Sequence, residues 1–193
     1  MNRSIQISIT ASLAACLTAS AGNIAGKVAA GKGESVVYLE AIAGQAAAPS
    51  TKSVVMDQKK LLFQPHIVVV QVGTTVEFLN SDTVAHNVFW ISVGGNKKLG
   101  HNLGTWPKGE KRAFKFDNPG AIPLLCNVHP EMSGYIVVSP TPYFAITDKS
   151  GAYKIDNVPD GTYNVTAWHE GAKNSSKPVT VAGEGKADFT LTK

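Results

Sequence analysis

The sequence predicts an all-β protein. Three observations carry this. Apolar stretches are short and rich in Val, Ile, Phe, Tyr and Thr, and no segment sustains a helical period. Eighteen glycines and ten prolines are spread along the 193 residues rather than clustered. Turn signals such as Asp148-Lys-Ser-Gly151, Pro159-Asp-Gly161 and Gly183-Glu-Gly185 separate the later runs at sandwich-like intervals.

The chain opens on Met1-Asn2-Arg3, a mildly apolar stretch from Ile5 to Leu17, and Ala19-Ser20-Ala21. This reads as a signal peptide over 1–21, with Gly22 as the new N-terminus and the periplasm as destination. The apolar stretch is too short and too rich in Ser and Thr to span a bilayer. Leu13-Ala14-Ala15-Cys16 offers a second reading, a lipobox with Cys16 as a lipid anchor. No other stretch suits a transmembrane segment.

Ile24–Val28 and Val36–Leu39 then read as a hairpin, followed by the small-residue linker Ala43–Ser50. Ser53–Asp57, His66–Val72, Thr75–Asn80, Val84–Trp90, Arg112–Phe116, Ile122–Leu125 and Met132–Ser139 read as strands. Beyond Pro140 come Tyr143–Thr147, Ala152–Ile155, Thr162–Trp168, Pro178–Val181 and Lys186–Leu191. Residues 141–193 look like most of a small sandwich lacking its first strands, and residues 22–48 supply a plausible missing hairpin. The expected organisation is therefore a module over 51–140 inserted into a second sandwich.

Hydrophobic residues make up 44% and charged residues 17%, a globular composition. The formal charge of +4 is too scattered for a nucleic-acid binder, which would show a dense basic stripe interleaved with aromatics. Lys97, Lys98, Lys108, Lys111 and Arg112 are candidates for steering an acidic partner.

Removing the signal leaves Cys126 as the one cysteine of the mature chain. A lone thiol in an oxidising compartment is a liability unless a metal occupies it. The stretch Cys126-Asn-Val-His129-Pro-Glu-Met132 presents thiolate, imidazole and thioether in order. Thiolate and thioether favour copper, and one thiolate with two imidazoles plus a distant Met is the blue-copper arrangement. His86, in Val84-Ala-His86-Asn-Val, fits as the second imidazole, because a sandwich can bring both segments to one pole. A Cys-x-x-His pair alone is weak evidence; a buried Cys or Met is commonly only packing, and a lone His on an apolar strand is more often structural. Zinc would want more hard or thiolate ligands and no Met. A thiol nucleophile would leave Met132 idle and lacks an evident orienting residue.

Phe63-Gln-Pro65, Val69-Val-Gln-Val-Gly73-Thr-Thr-Val76-Glu-Phe-Leu-Asn80, Asp82, His86-Asn-Val and Cys126-x-x-His129-x-x-Met132 together resemble a cupredoxin, and the closing loop resembles that of amicyanin. The resemblance implies a Greek-key sandwich over 51–140, one type 1 copper on His86, Cys126, His129 and Met132, Asn87 as a brace of the cysteine loop, and His129 as electron port beside Pro130. Phe144–Ile155 and Val158–Val165 resemble a carboxypeptidase regulatory-like domain, a sandwich without catalysis. Together the modules resemble exported methylamine-utilisation-type proteins. The implied role is a periplasmic one-electron carrier between redox partners, a dehydrogenase donor and a cytochrome or oxidase acceptor, and not an enzyme. The competing role is a copper carrier or docking module. His66, His101 and Trp168-His169-Glu170 read as exposed or structural, and Trp90, Phe114 and Phe116 as core.

Overall fold

The computed structural model describes residues 21–40 and 53–193. The expected signal peptide up to Ser20, Cys16 and the linker Ala43–Ser50 lie outside the described residues.

Two strands open the described chain, β1 (Ala21–Ala29) and β2 (Ser35–Leu39). Nine follow in the central module: β3 (Val54–Lys59), β4 (Leu62–Gln64), β5 (Ile67–Gln71), β6 (Thr74–Asn80), β7 (His86–Trp90), β8 (His101–Trp106), β9 (Lys111–Phe116), β10 (Gly120–Leu125) and β11 (Ser133–Ser139). Six complete the chain: β12 (Phe144–Ile146), β13 (Ala152–Pro159), β14 (Gly161–His169), β15 (Ser175–Val181), β16 (Glu184–Lys186) and β17 (Phe189–Thr190). The one helical turn among the described residues is a single 3-10 turn at Lys97–Leu99. The protein is all-β.

The central module is a sandwich of two sheets, ordered β5-β11-β10-β7-β8 and β4-β3-β6-β9. Strand β6 shows why: Thr74, Val76, Phe78 and Asn80 are buried and the residues between them are half-buried, the period of two that gives a sheet one inner face. Met56, Phe78, Trp90, Trp106, Phe116, Ile122 and Ile136 meet in its core. Strands β1 and β2 pair outside this module. Strand β1 lies against β13, β16 and β17, and β2 lies between β12 and β14. Their core gathers Ile24, Leu39, Ile155, Val165 and Phe189.

A third apolar cluster joins the two sandwiches: Val36 and Trp168 from the outer one, Ile67 and Val137 from the inner one. At its rim Tyr135 stacks on Trp168 with ring centroids 5.1 Å apart, and His66 Nε2 meets Glu170 Oε2 at 2.8 Å. Trp168 and His169 are thus buried, not surface strand-end residues, and His169 Nδ1 lies 3.1 Å from both Ser35 Oγ and the Glu34 carbonyl. His101 is likewise in a strand, not a loop. It pairs opposite Trp90, and its ring packs on Phe114 at 4.8 Å.

Candidate metal centre

Three strand ends build the site. Strand β6 closes on Asn80, whose buried side-chain amide donates to the Val84 carbonyl at 2.9 Å and the Trp106 carbonyl at 3.0 Å. Its Oδ1 accepts from the Asp82 amide at 2.9 Å. These bonds wind residues 80–85 into a tight bend, so β7 starts on His86 with its imidazole fully buried. Strand β10 hydrogen-bonds to β7 through Leu125 and Phe89, which sets the next residue, Cys126, beside the start of β7. From Cys126 the chain crosses the pole and returns on β11. The Met132 amide donates to the His129 carbonyl at 3.0 Å and closes that loop.

The result is a convergence that local sequence does not show. One ligand atom each from His86, Cys126 and His129 lie within 4.8 Å of one another. The two Nδ1 atoms face at 3.0 Å. Met132 is fully buried in the same core as Cys126, immediately after the loop. His129 is the most exposed of the four, half-buried between exposed Val128 and exposed Pro130.

Neighbouring groups fix the donors. His86 Nε2 lies 3.1 Å from Asp82 Oδ2. A carboxylate accepts, so Nε2 carries the proton and Nδ1 presents its lone pair to the site. Asp82 Oδ2 also accepts from the Leu61 amide at 2.8 Å. The Leu61 and then the His86 hydrogen bonds hold the Asp82 carboxyl below the usual carboxylate range. The Asn87 amide donates to Cys126 Sγ at 3.4 Å. The Asn87 side chain spans the pole: its Oδ1 accepts from the Asn127 amide at 3.3 Å, and its Nδ2 donates to Asn102 Oδ1 at 2.9 Å and to the Gly104 carbonyl at 2.8 Å. The donor set fits copper. A cysteine sulfur and two imidazole nitrogens converge, with a thioether close by in sequence and core, and among the described residues no carboxylate belongs to the cluster to favour a harder ion.

Residues 50–139 match the family of copper binding proteins, plastocyanin/azurin family. This segment is a cupredoxin domain. Residues 137–189 match polysaccharide lyase family 4, domain II. That match stands where the sequence suggested a carboxypeptidase regulatory-like domain. Among solved structures the chain is similar to a reduced amicyanin variant, at 24% identity over 47% of this chain and 85% of that one, with a TM-score of 0.42. The purple cupredoxin from Nitrosopumilus maritimus is 26% identical over 45% of this chain and 99% of that one, with a TM-score of 0.40. A copper-containing nitrite reductase from Thermus scotoductus SA-01 is 28% identical over 52% of this chain and 25% of that one, with a TM-score of 0.42.

Two features of the cupredoxin site lay beyond the sequence reading. One is the Asp82–His86 contact: an acidic residue four positions before a histidine, in a polar loop, carries no signal of its own. The other is the dependence of Asn87 on Asn102 and Gly104, which sit on β8.

Proposed function

We propose that this chain holds a single type 1 copper ion on His86, Cys126, His129 and Met132, and carries single electrons between redox proteins outside the cytoplasm. The observation behind the reading is the convergence of His86, Cys126 and His129 within 4.8 Å inside a cupredoxin domain. Copper bound there would supply reversible one-electron chemistry between its cupric and cuprous states. The residues do the rest. Burial of His86, Cys126 and Met132 keeps water out. The Asn87 side chain ties the ligand loop to β8, so the donor atoms keep their places when the charge at the centre changes. Half-buried His129, between Val128 and Pro130, gives the shortest way out of the core and serves as the electron port. The role is carriage, without substrate turnover. The partners are a donor of the dehydrogenase kind and a cytochrome or oxidase acceptor. The apolar N-terminal stretch supports export, and Cys16 offers a lipid anchor as its variant. No helix among the described residues is long and apolar enough to cross a membrane.

The test is optical. Adding cupric ion to the purified chain gives an intense blue absorption, and Cys126→Ser abolishes it. A colourless complex of the unaltered chain refutes the reading.

A further inference from the structure

Strand β11 is apolar on both faces. Tyr135-Ile-Val-Val138 is a continuous run, and so is Ile67-Val-Val-Val70 on the neighbouring β5. Such runs belong to strands buried on both faces. Ile136 and Val138 point into the cupredoxin core. Tyr135 and Val137 point the other way, where Val36, Tyr38 and Trp168 of the outer sandwich cover them. The second sandwich therefore lies over a sheet face that would otherwise meet water.

The covered sheet carries two of the proposed ligands. Cys126 follows the last residue of β10, and Met132 precedes the first residue of β11. Tyr135 is the position nearest Met132 at which β11 is paired on both sides, with Ile67 of β5 and Pro123 of β10. Its amide donates to the His66 carbonyl at 2.8 Å. The backbone between Tyr135 and Met132 has no slack. A Cβ on Gly134 would meet Phe63 Cβ at 2.8 Å and that same His66 carbonyl at 3.2 Å. Close packing of this kind transmits displacement, so a shift of Tyr135 is felt at Met132, three residues before it.

The Tyr135 side chain is held from the outer sandwich. Its ring packs on Trp168 with centroids 5.1 Å apart and meets the His66 ring edge-on at 5.7 Å. Glu170, two residues beyond Trp168, meets His66 Nε2 at 2.8 Å and neighbours the Tyr135 phenol. One strand end of the outer sandwich thus grips both residues that fix the start of β11.

Resting on the copper reading above, we propose that Trp168 is a positioning residue for the metal centre: through Tyr135 it holds the start of β11, and with it the Met132 thioether, in place. The axial donor is one of the levers that set the potential of a blue copper centre. Here that lever is held by a residue of the other sandwich, which makes the outer sandwich a tuning element of the site as well as a scaffold.

Three variants test it. Trp168→Leu keeps apolar bulk in the seam and removes the ring that faces Tyr135, and Trp168→Phe restores a ring. Tyr153→Phe is the control. It removes the hydrogen bond from the Tyr153 hydroxyl to the Ala187 carbonyl at 2.6 Å, inside the outer core and away from the seam. The first readout needs no copper. In NMR spectra of the metal-free full chain, the Met132 methyl and the Ser133 and Gly134 amides shift and broaden in Trp168→Leu and return in Trp168→Phe. The second readout uses the copper-loaded chain. Trp168→Leu changes the reduction potential and the ratio of the violet to the blue absorption band, and it loses copper to a chelator about tenfold faster. Trp168→Phe matches the unaltered chain. Unmoved Met132 signals or an unchanged potential overturn the proposal, and so do equal effects of Tyr153→Phe. If Trp168→Leu fails to fold, Glu170→Gln at the exposed rim decides: it displaces the same Met132 and Gly134 signals to a smaller extent, or the proposal falls. Displaced Met132 signals in a chain that gives no blue centre would sink the copper reading and leave the coupling across the seam standing.

Discussion

Replacing Asn87 by alanine should show how far the ligand loop is braced from outside itself. The side chain is buried and makes three hydrogen bonds, from the Asn127 amide and to Asn102 Oδ1 and the Gly104 carbonyl. Each is worth about 1 ± 0.5 kcal/mol net. The Asn102 oxygen keeps a second partner in the Gly104 amide at 2.8 Å, so its loss is partly covered. The Gly104 carbonyl and the Asn127 amide lose a partner each. The expected destabilisation is about 2–4 kcal/mol. In a chain of this size that lowers Tm by about 2–4 °C per kcal/mol. Denaturant unfolding of the metal-free protein, followed by the fluorescence of Trp90 and Trp106 in the cupredoxin core, measures it. The hydrogen bond to Cys126 Sγ comes from the Asn87 backbone and survives the change. Copper should therefore still give a blue centre, with a broader spectrum and faster copper loss. A stability change under about 1 kcal/mol together with an unaltered rate of copper loss would refute the bracing argument.

Asp82→Asn keeps the shape of the His86 contact but removes its charge; copper affinity should fall by about 10–100-fold, measured by competition with a chelator. In Gly134→Ala the new Cβ would stand 2.8 Å from Phe63 Cβ and 3.2 Å from the His66 carbonyl. Two residues after Met132 such overpacking should cost about 1–3 kcal/mol, read by denaturant titration. Burial, and then the neighbouring Glu170 carboxylate, push the Tyr135 phenol up to about 12 from 10.0. A raised pKa means that the folded state holds the proton after the unfolded chain has lost it. This part of the stability is complete below pH 10 and is lost as pH rises from about 10 to 12. Glu170→Gln should move the Tyr135 titration downward, visible as an earlier rise of tyrosinate absorbance; an unchanged titration would count against the contact.

The proposed ligands divide by how they could be read. Cys126, His129 and Met132 fall within one loop, and their order alone suggests soft-metal chemistry. His86 lies some forty residues upstream, and only the pairing of β10 with β7 brings it to the loop. Asp82 was legible as an acid in a polar bend, which is what most solvated acids look like. Strands with a buried face and an alternating pattern, such as β6, could be read from period alone. Strand β8 could not, because five of its six residues are partly or fully exposed and Gly104 interrupts it. Strand β4 is three residues long, too short for a pattern. Lys97 and Lys98 were grouped with Lys108 by nearness in sequence, but the intervening strand separates them by its length. Trp168 and His169 end a strand, where exposure is the ordinary expectation; the inner sandwich packs over that end instead.

The outer sandwich is closed by contacts between residues far apart in the chain: the Ser35 amide and Thr147 Oγ1, hydrogen-bonded at 2.9 Å, are 112 positions apart. The entropy of bringing such segments together grows with the free length between them, by about 0.6 kcal/mol for each doubling. A cupredoxin module that collapses first turns most of that length into a compact body and shortens the tether that remains. Assembly should then be hierarchical, with the inner sandwich leading and the outer one clasping shut around its two exits. Once clasped, the inner body is held by chain on both sides and by the Val36–Trp168 cluster. It cannot swing as a bead on a single linker does. Anything that grips the outer sandwich therefore sets the heading of the His129 end of the inner one as well.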